Sequence, residues 1–189
     1  MKLKDLILKN RSYRRFYEDY EITLETLREL VDLARLSPSG GNLQPLKYKL
    51  SNECETNKKI FPCLAWAGYL TDWPGPPDGE RPSAYIVILE DSTIKKEVKN
   101  DQGLASQSIL LGAVEAGLGG CIIGSIKKER LRESLEIPAH LEILLVIALG
   151  KPKETVLLEK ISQDGNIKYW RDESGVHHVP KRGLDDIIV

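Results

Sequence analysis

Apolar and polar positions along the chain fall into blocks whose period changes, and each change marks a different element. Leu3, Leu6, Ile7 and Leu8 give one apolar side to a short helix ending near Asn10. Leu24, Leu27, Leu30, Val31 and Ala34 repeat at helical spacing behind Thr23, an expected N-cap, with Glu25 in the first turn. That helix stops over residues 36–42, where Pro38 disfavours helix before it and Gly40 and Gly41 open backbone angles closed to other residues. Leu46, Tyr48 and Leu50 alternate with Lys47 and Lys49, the period of a strand with one buried face. Residues 83–89 and 141–149 are nearly continuous apolar runs of strand length and predict two interior strands. Between them, residues 103–116 spread small and apolar side chains around a helix that is buried or at a subunit interface. Residues 117–125 predict a short strand bracketed by glycines, and 127–135 a short helix ending before Pro138.

The pattern weakens twice. Residues 52–82 read as an excursion from the core, helical over 60–70 and rich in proline and glycine thereafter. Its Trp66, Tyr69 and Trp73 either border a substrate pocket or pack the excursion onto its own domain. Residues 151–189 form a charged tail with a second basic pair, Lys181 and Arg182, and an apolar end expected to be tied down.

Length and composition narrow the classes. The 189 residues suit a single domain over 1–189, and 27 Lys plus Arg against 28 Asp plus Glu give no global attraction to nucleic acid or membrane. Three cysteines without paired spacing imply reduced thiols in a cytoplasmic protein, with neither disulfides nor a metal. No apolar run reaches the roughly 18 residues of a membrane span.

Against this balanced background, Arg11, Ser12, Arg14 and Arg15 place three guanidinium groups and a hydroxyl within five residues. Such donors match phosphate or carboxylate oxygens, although the same stretch alone also reads as a solvated basic turn. The loop from Ser37 to Gln44 exposes groups suited to a flat polar heterocycle, or to a mere turn. Gly119, Gly120 and Gly124 offer backbone against which a planar ligand could lie, without the order of a dinucleotide fingerprint. His177 and His178 are adjacent, so on a strand they face opposite ways, cannot share a metal, and read as structural.

In their order along the chain, RSYRRF at 11–16, SPSGGNLQP at 37–45, GLGGCIIG at 117–124 and the basic tail resemble the nitroreductase family of FMN-dependent oxidoreductases. The resemblance covers about residues 3–150, with a weaker echo to the C-terminus. It implies an α+β fold with a central, mainly antiparallel sheet flanked by helices. It also implies a homodimer with FMN sites at the interface and a C-terminal extension reaching onto the partner. On that basis Arg11, Ser12 and Arg14 hold the FMN phosphate and ribityl chain, with Lys181 or Arg182 completing the anion site. Pro38, Ser39, Gly40 and Asn42 meet the flavin from the other subunit. Gly124 and Ser125 lie near the reactive ring nitrogen, with Gly119 and Gly120 nearby. Hydride would come from NADH or NADPH and pass to a small electron-poor acceptor, with no obligatory catalytic side chain because the cofactor carries the chemistry. Arg15 falls at a variable position of the motif and matters less.

Asn10 and Ile122 depart from residues often found in the family, and residues 52–82, where substrate choice is usually set, do not align with its better-known members. Two other readings therefore stay open. One is a flavin-binding protein without appreciable turnover, its flavin covered by Trp73 and the neighbouring prolines. The other is a specialised dehydrogenase or oxidase of the same fold.

Overall fold

The structure is a computed structural model, and it describes residues 1–94 and 100–189. The first half of the chain forms α1 (Leu3–Lys9), β1 (Phe16–Tyr17), α2 (Leu24–Arg35), β2 (Leu46–Ser51) and α3 (Cys54–Ile60). The second half forms β3 (Ala84–Asp91), α4 (Asp101–Glu115), β4 (Gly119–Ile123), α5 (Lys128–Ser134) and β5 (Leu141–Pro152). The tail adds β6 (Val156–Lys160), β7 (Trp170–Arg171) and β8 (His177–Lys181).

Strands β1 to β5 make one antiparallel sheet. β3 lies between β2 and β5, and β4 and β1 both pair with β5. The unbroken apolar run of β3 is explained by burial on both faces, since successive side chains on a strand alternate sides. Ala84, Ile86 and Ile88 join α2 and α4 in one core, while Tyr85, Val87 and Leu89 join Ile60, Leu131 and Trp66 in the other. β2 packs its Leu46, Tyr48 and Leu50 side against the core, as its alternation predicts. Thr23 caps α2 by accepting the Thr26 N–H at 3.1 Å. The α+β class and the antiparallel central sheet are as expected.

Three regions differ from the sequence reading or narrow it. The helix expected over 60–70 lies earlier, in α3. It ends at Ile60 because Pro62 cannot continue the hydrogen-bond ladder, and Phe61–Cys63 close it as a 3₁₀ turn. In the excursion, two of the three aromatic residues take the second of the two readings left open and pack onto their own domain. Trp66 is buried beside Phe61, with ring centroids 5.8 Å apart, and Trp73 packs against the same core.

The tail is the third region, a sheet of its own. β6 and β8 run parallel, from Val156↔His177 to Lys160↔Lys181, and β7 pairs antiparallel with β8. Glu154 locks this sheet to the arginine segment. Its buried carboxylate accepts the backbone N–H groups of Arg14 and Arg15 and, at 3.0 Å, the Arg171 guanidinium. Beyond Lys181 the apolar end, Leu184, Ile187, Ile188 and Val189, is exposed on this chain and not tied down to it.

Candidate functional site

After α1 the arginine segment runs along β4, held by the Tyr13 N–H on the Gly120 carbonyl at 3.0 Å. Two glycines make that approach possible. A Cβ on Gly119 would lie 2.5 Å from a Tyr13 ring carbon, and one on Gly120 would lie 2.6 Å from the Ala148 carbonyl oxygen. Both glycines are buried. Packing accounts for them, and neither presents the open backbone expected for a planar ligand. Ile122 between them and Gly124 is exposed, as are Gly124 and Ser125 beyond the strand end.

Beside the segment lies a cavity of about 330 Å³, lined by Arg11, Ser12, Arg14, Ile122, His177 and Lys181 among others. β8 supplies one wall through its period of two: His177, Val179 and Lys181 line the cavity, and His178 turns away. Arg14 Nη1 donates to the Ser12 carbonyl at 3.2 Å and lies 3.3 Å from His177 Nε2, while its guanidinium sits 5.0 Å from the Tyr169 ring centre. Arg11 donates to the Ile7 carbonyl at 2.7 Å, closing α1, and burial pulls its pKa below the ordinary value. No salt bridge among the described residues reaches Arg11, Arg14 or Lys181.

His177 is 1% exposed and shifted down to about 4, chiefly by burial and then by the charges of Arg14, Arg171 and His178. It is therefore uncharged at neutral pH, with Nε2 facing the Arg14 N–H and Nδ1 buried without a partner among the described residues. His178 is its opposite. Hydrogen bonds to Asp172 first and Glu159 second raise its pKa, and its ring stacks on Trp170 at 4.1 Å.

Arg15, one residue from Arg14, meets a different environment. Its Nε and Nη2 grip the two oxygens of Glu80, which also takes Lys153 at 3.3 Å. The Arg15 hydrogen bond is the main reason the Glu80 carboxyl is held down to about 2.

The loop with Pro38, Ser39, Gly40 and Asn42 lies elsewhere in the chain. The Ser39 hydroxyl donates to Asp101 at 2.6 Å, the Gly40 N–H to the same carboxylate at 3.1 Å, and Ser39 Oγ accepts the Gln44 N–H at 2.9 Å. Pro38 and Ser39 border a separate hollow of about 160 Å³ with Tyr48 and Asp101. One chain thus gathers Arg11, Ser12, Arg14 and Lys181 around a single cavity and leaves the 38–42 loop outside it. Arg182 is exposed past β8 and does not line the cavity.

Of the three aromatic residues expected at a substrate wall, Trp66 belongs to the core and Trp73 packs under the Arg171 guanidinium at 4.8 Å. Tyr69 alone is exposed and near the cavity. Its ring lies 4.9 Å from Tyr169, which lines the cavity. His177, Tyr169 and Gln107 also line it and were not singled out from sequence as site residues. A strand assignment over 177–181 would have exposed the first, because it puts His177 on the face of Lys181.

The described cysteines are all free, no described helix is long and apolar enough to cross a membrane, and no described group of His, Cys, Asp or Glu is arranged to hold a metal ion.

The family model described as "Nitroreductase family" matches residues 7–68 and 80–151. A protein of Archaeoglobus fulgidus with the provisional name NADH dehydrogenase/NAD(P)H nitroreductase is 30% identical over 148 residues, covering 74% of this chain and 80% of that protein. A nitroreductase family protein from Streptococcus pneumoniae has the same fold, with a TM-score of 0.72 at 18% identity over 100% of this chain and 99% of the other. A structure from Exiguobacterium sibiricum, solved in complex with FMN, gives 0.67 at 18% identity over 81% and 89%.

Proposed function

The chain belongs to the nitroreductase family, and from that premise we propose that it is an FMN-dependent oxidoreductase carrying reducing equivalents from NADH or NADPH to a small electron-poor acceptor, such as a nitro compound or quinone, in the cytoplasm. One observation carries the assignment of the cofactor: Arg11, Arg14 and Lys181 converge on one cavity with no salt bridge to a carboxylate among the described residues. Clustered like charges without a counterion are unfavourable unless an anion joins them. The relative solved with FMN fits the same reading.

The cavity volume sits at the low end of ligand pockets, which span about 300–1,000 Å³. It suits the phosphate and ribityl end of FMN, and the exposed Ile122, Gly124 and Ser125 would border the rest of the group. Bound there, the flavin supplies hydride acceptance and donation. The chain's own residues anchor and orient it. Arg14 and Arg11 offer N–H forks, Ser12 a hydroxyl and Lys181 a point charge. The Pro38, Ser39, Gly40 and Asn42 loop, held in shape by Asp101, would complete the site from a second copy in a homodimer. Exposed Leu33, Leu36, Leu43 and Leu104, on α2, the loop and α4, are apolar surface that such a dimer would cover.

The decisive experiment is spectral. Purified or FMN-reconstituted protein should show bound flavin absorbance, and anaerobic NADH or NADPH should bleach it. A colourless protein that FMN cannot reconstitute overturns the reading, and bound flavin that neither nicotinamide reduces makes the protein a passive flavin binder. Weak nitro-compound turnover beside rapid reduction would point to a dedicated substrate.

A further inference from the structure

We propose that His177 is a positioning residue of the anion cavity: its Nε2 accepts from Arg14 and so aims the remaining guanidinium N–H groups at the phosphate of the ligand. This rests on the reading of the cavity as the FMN phosphate site. Arg14 is held on three sides by uncharged groups, the Ser12 carbonyl at 3.2 Å, His177 Nε2 at 3.3 Å and the Tyr169 ring at 5.0 Å. That choice of partners matters. A carboxylate at position 177 would orient Arg14 equally well but cancel the charge needed for an anion, as Glu80 does for Arg15. A neutral acceptor orients without cancelling.

The fold keeps His177 in this role. It lies on the central strand of the tail sheet, paired with Val156 on one side and Arg171 on the other, which sets its backbone, and its buried ring packs 5.2 Å from the Tyr169 ring. The charged and titratable groups around it are Arg14 from the arginine segment, Arg171 from β7, His178 from its own strand and Tyr169 from the chain before β7. Lys181 lines the same cavity, and Glu154 is engaged by Arg171 and by backbone N–H groups. Burial first, and then the charges of Arg14, Arg171 and His178, keep the ring unprotonated. With Nε2 accepting, the proton resides on Nδ1, whose lack of a described partner is a cost that an orienting role explains.

The test compares FMN with riboflavin, which lacks the phosphate. Flavin fluorescence titrations should show His177→Phe weakening FMN by about five- to twenty-fold, with riboflavin affinity unchanged. His177→Gln, which keeps an acceptor, should retain most of the FMN affinity. A parallel loss of both flavins in His177→Phe, or no loss while Arg14→Ala loses FMN strongly, overturns the proposal and leaves the cofactor reading intact. If wild-type protein binds FMN no better than riboflavin, the cofactor reading itself fails. Should His177→Phe not fold, ¹⁵N NMR of wild-type His177 decides: the Nδ1–H tautomer supports the proposal, and an Nε2–H ring overturns it.

Discussion

Arg14 and Arg15 are adjacent, chemically identical, and employed in opposite ways. Arg15 turns to Glu80 and Lys153, where a carboxylate inside the chain answers its charge. Arg14 turns to a cavity where the partners of its guanidinium among the described residues are neutral. An arginine with its own counterion is part of the fold, since removing one member of such a pair leaves the other uncompensated. An arginine held by carbonyl, imidazole and aromatic ring is oriented yet still cationic, which is the state a binding site needs. The kind of partner, more than exposure or motif position, separates the two regions.

The largest expected effect breaks the comparison directly. Arg14→Ala should weaken FMN binding by about 1.5–3 kcal/mol, the range for a hydrogen bond to a charged group, with little change in melting temperature. Arg15→Ala should do the reverse, losing about 1.5–3 kcal/mol of folding stability while FMN affinity holds. Flavin titration and denaturant melts on both variants check the crossover. If both variants lose FMN equally, the two arginines do not differ as described.

Replacing the counterion sharpens the point. Glu80→Gln frees Arg15 without moving it into the cavity, so stability should fall by about 1–3 kcal/mol with no gain in FMN affinity. Because the Glu80 pKa is depressed from 4.5 to about 2, its ionised form stabilises the folded state above pH 4.5, and that contribution disappears as pH falls through about 2. Wild type and Glu80→Gln should therefore differ at neutral pH and converge on acidification, measured by urea melts from pH 7 to 2. A gap that persists at pH 2 would mean that the carboxylate's charge is not what matters.

Lys181 should count for less. It is exposed at the end of β8, so Lys181→Ala should cost about 0.5–1 kcal/mol of FMN affinity, with a flatter dependence on salt. Arg182→Ala, outside the cavity lining, serves as its control and should change neither.

These residues also show what the sequence made legible. α2 and the strands β2, β3 and β5 were readable because burial on one or two faces prints a period or a solid apolar run. Arg11, Ser12, Arg14 and Lys181 were readable because their donors stand in a resembling order of motifs. The tail sheet was not. β6 and β8 pair in parallel across an intervening segment, with charges and a proline in the strands, and no local period announces such a pairing. His177 was hidden for the same reason, because its partner Arg14 lies 163 residues away and only the fold brings them together. Gly119 and Gly120 were visible as glycines, but whether the space they leave holds a ligand or Tyr13, Leu110 and backbone depends on tertiary packing.

The smallest expected effect concerns the outer face of the same strand. There His178 repeats the Arg15 arrangement, its charge answered by Asp172 and Glu159, while His177 on the inner face repeats the neutral setting of Arg14. The raised pKa of His178 means that the protonated ring stabilises the folded tail fully below the ordinary histidine value of 6.5, and that this support is lost as pH climbs through the higher folded value. Its partners Glu159 and Asp172 are 40% and 28% exposed, so the loss should be a gentle loosening of β6, β7 and β8 rather than unfolding. Limited proteolysis across residues 156–181 should accelerate from pH 6 to 9 in wild type relative to His178→Gln, whose neutral amide cannot switch. Identical pH profiles for the two proteins would show that the outer-face ion pairs contribute nothing to holding the tail sheet together.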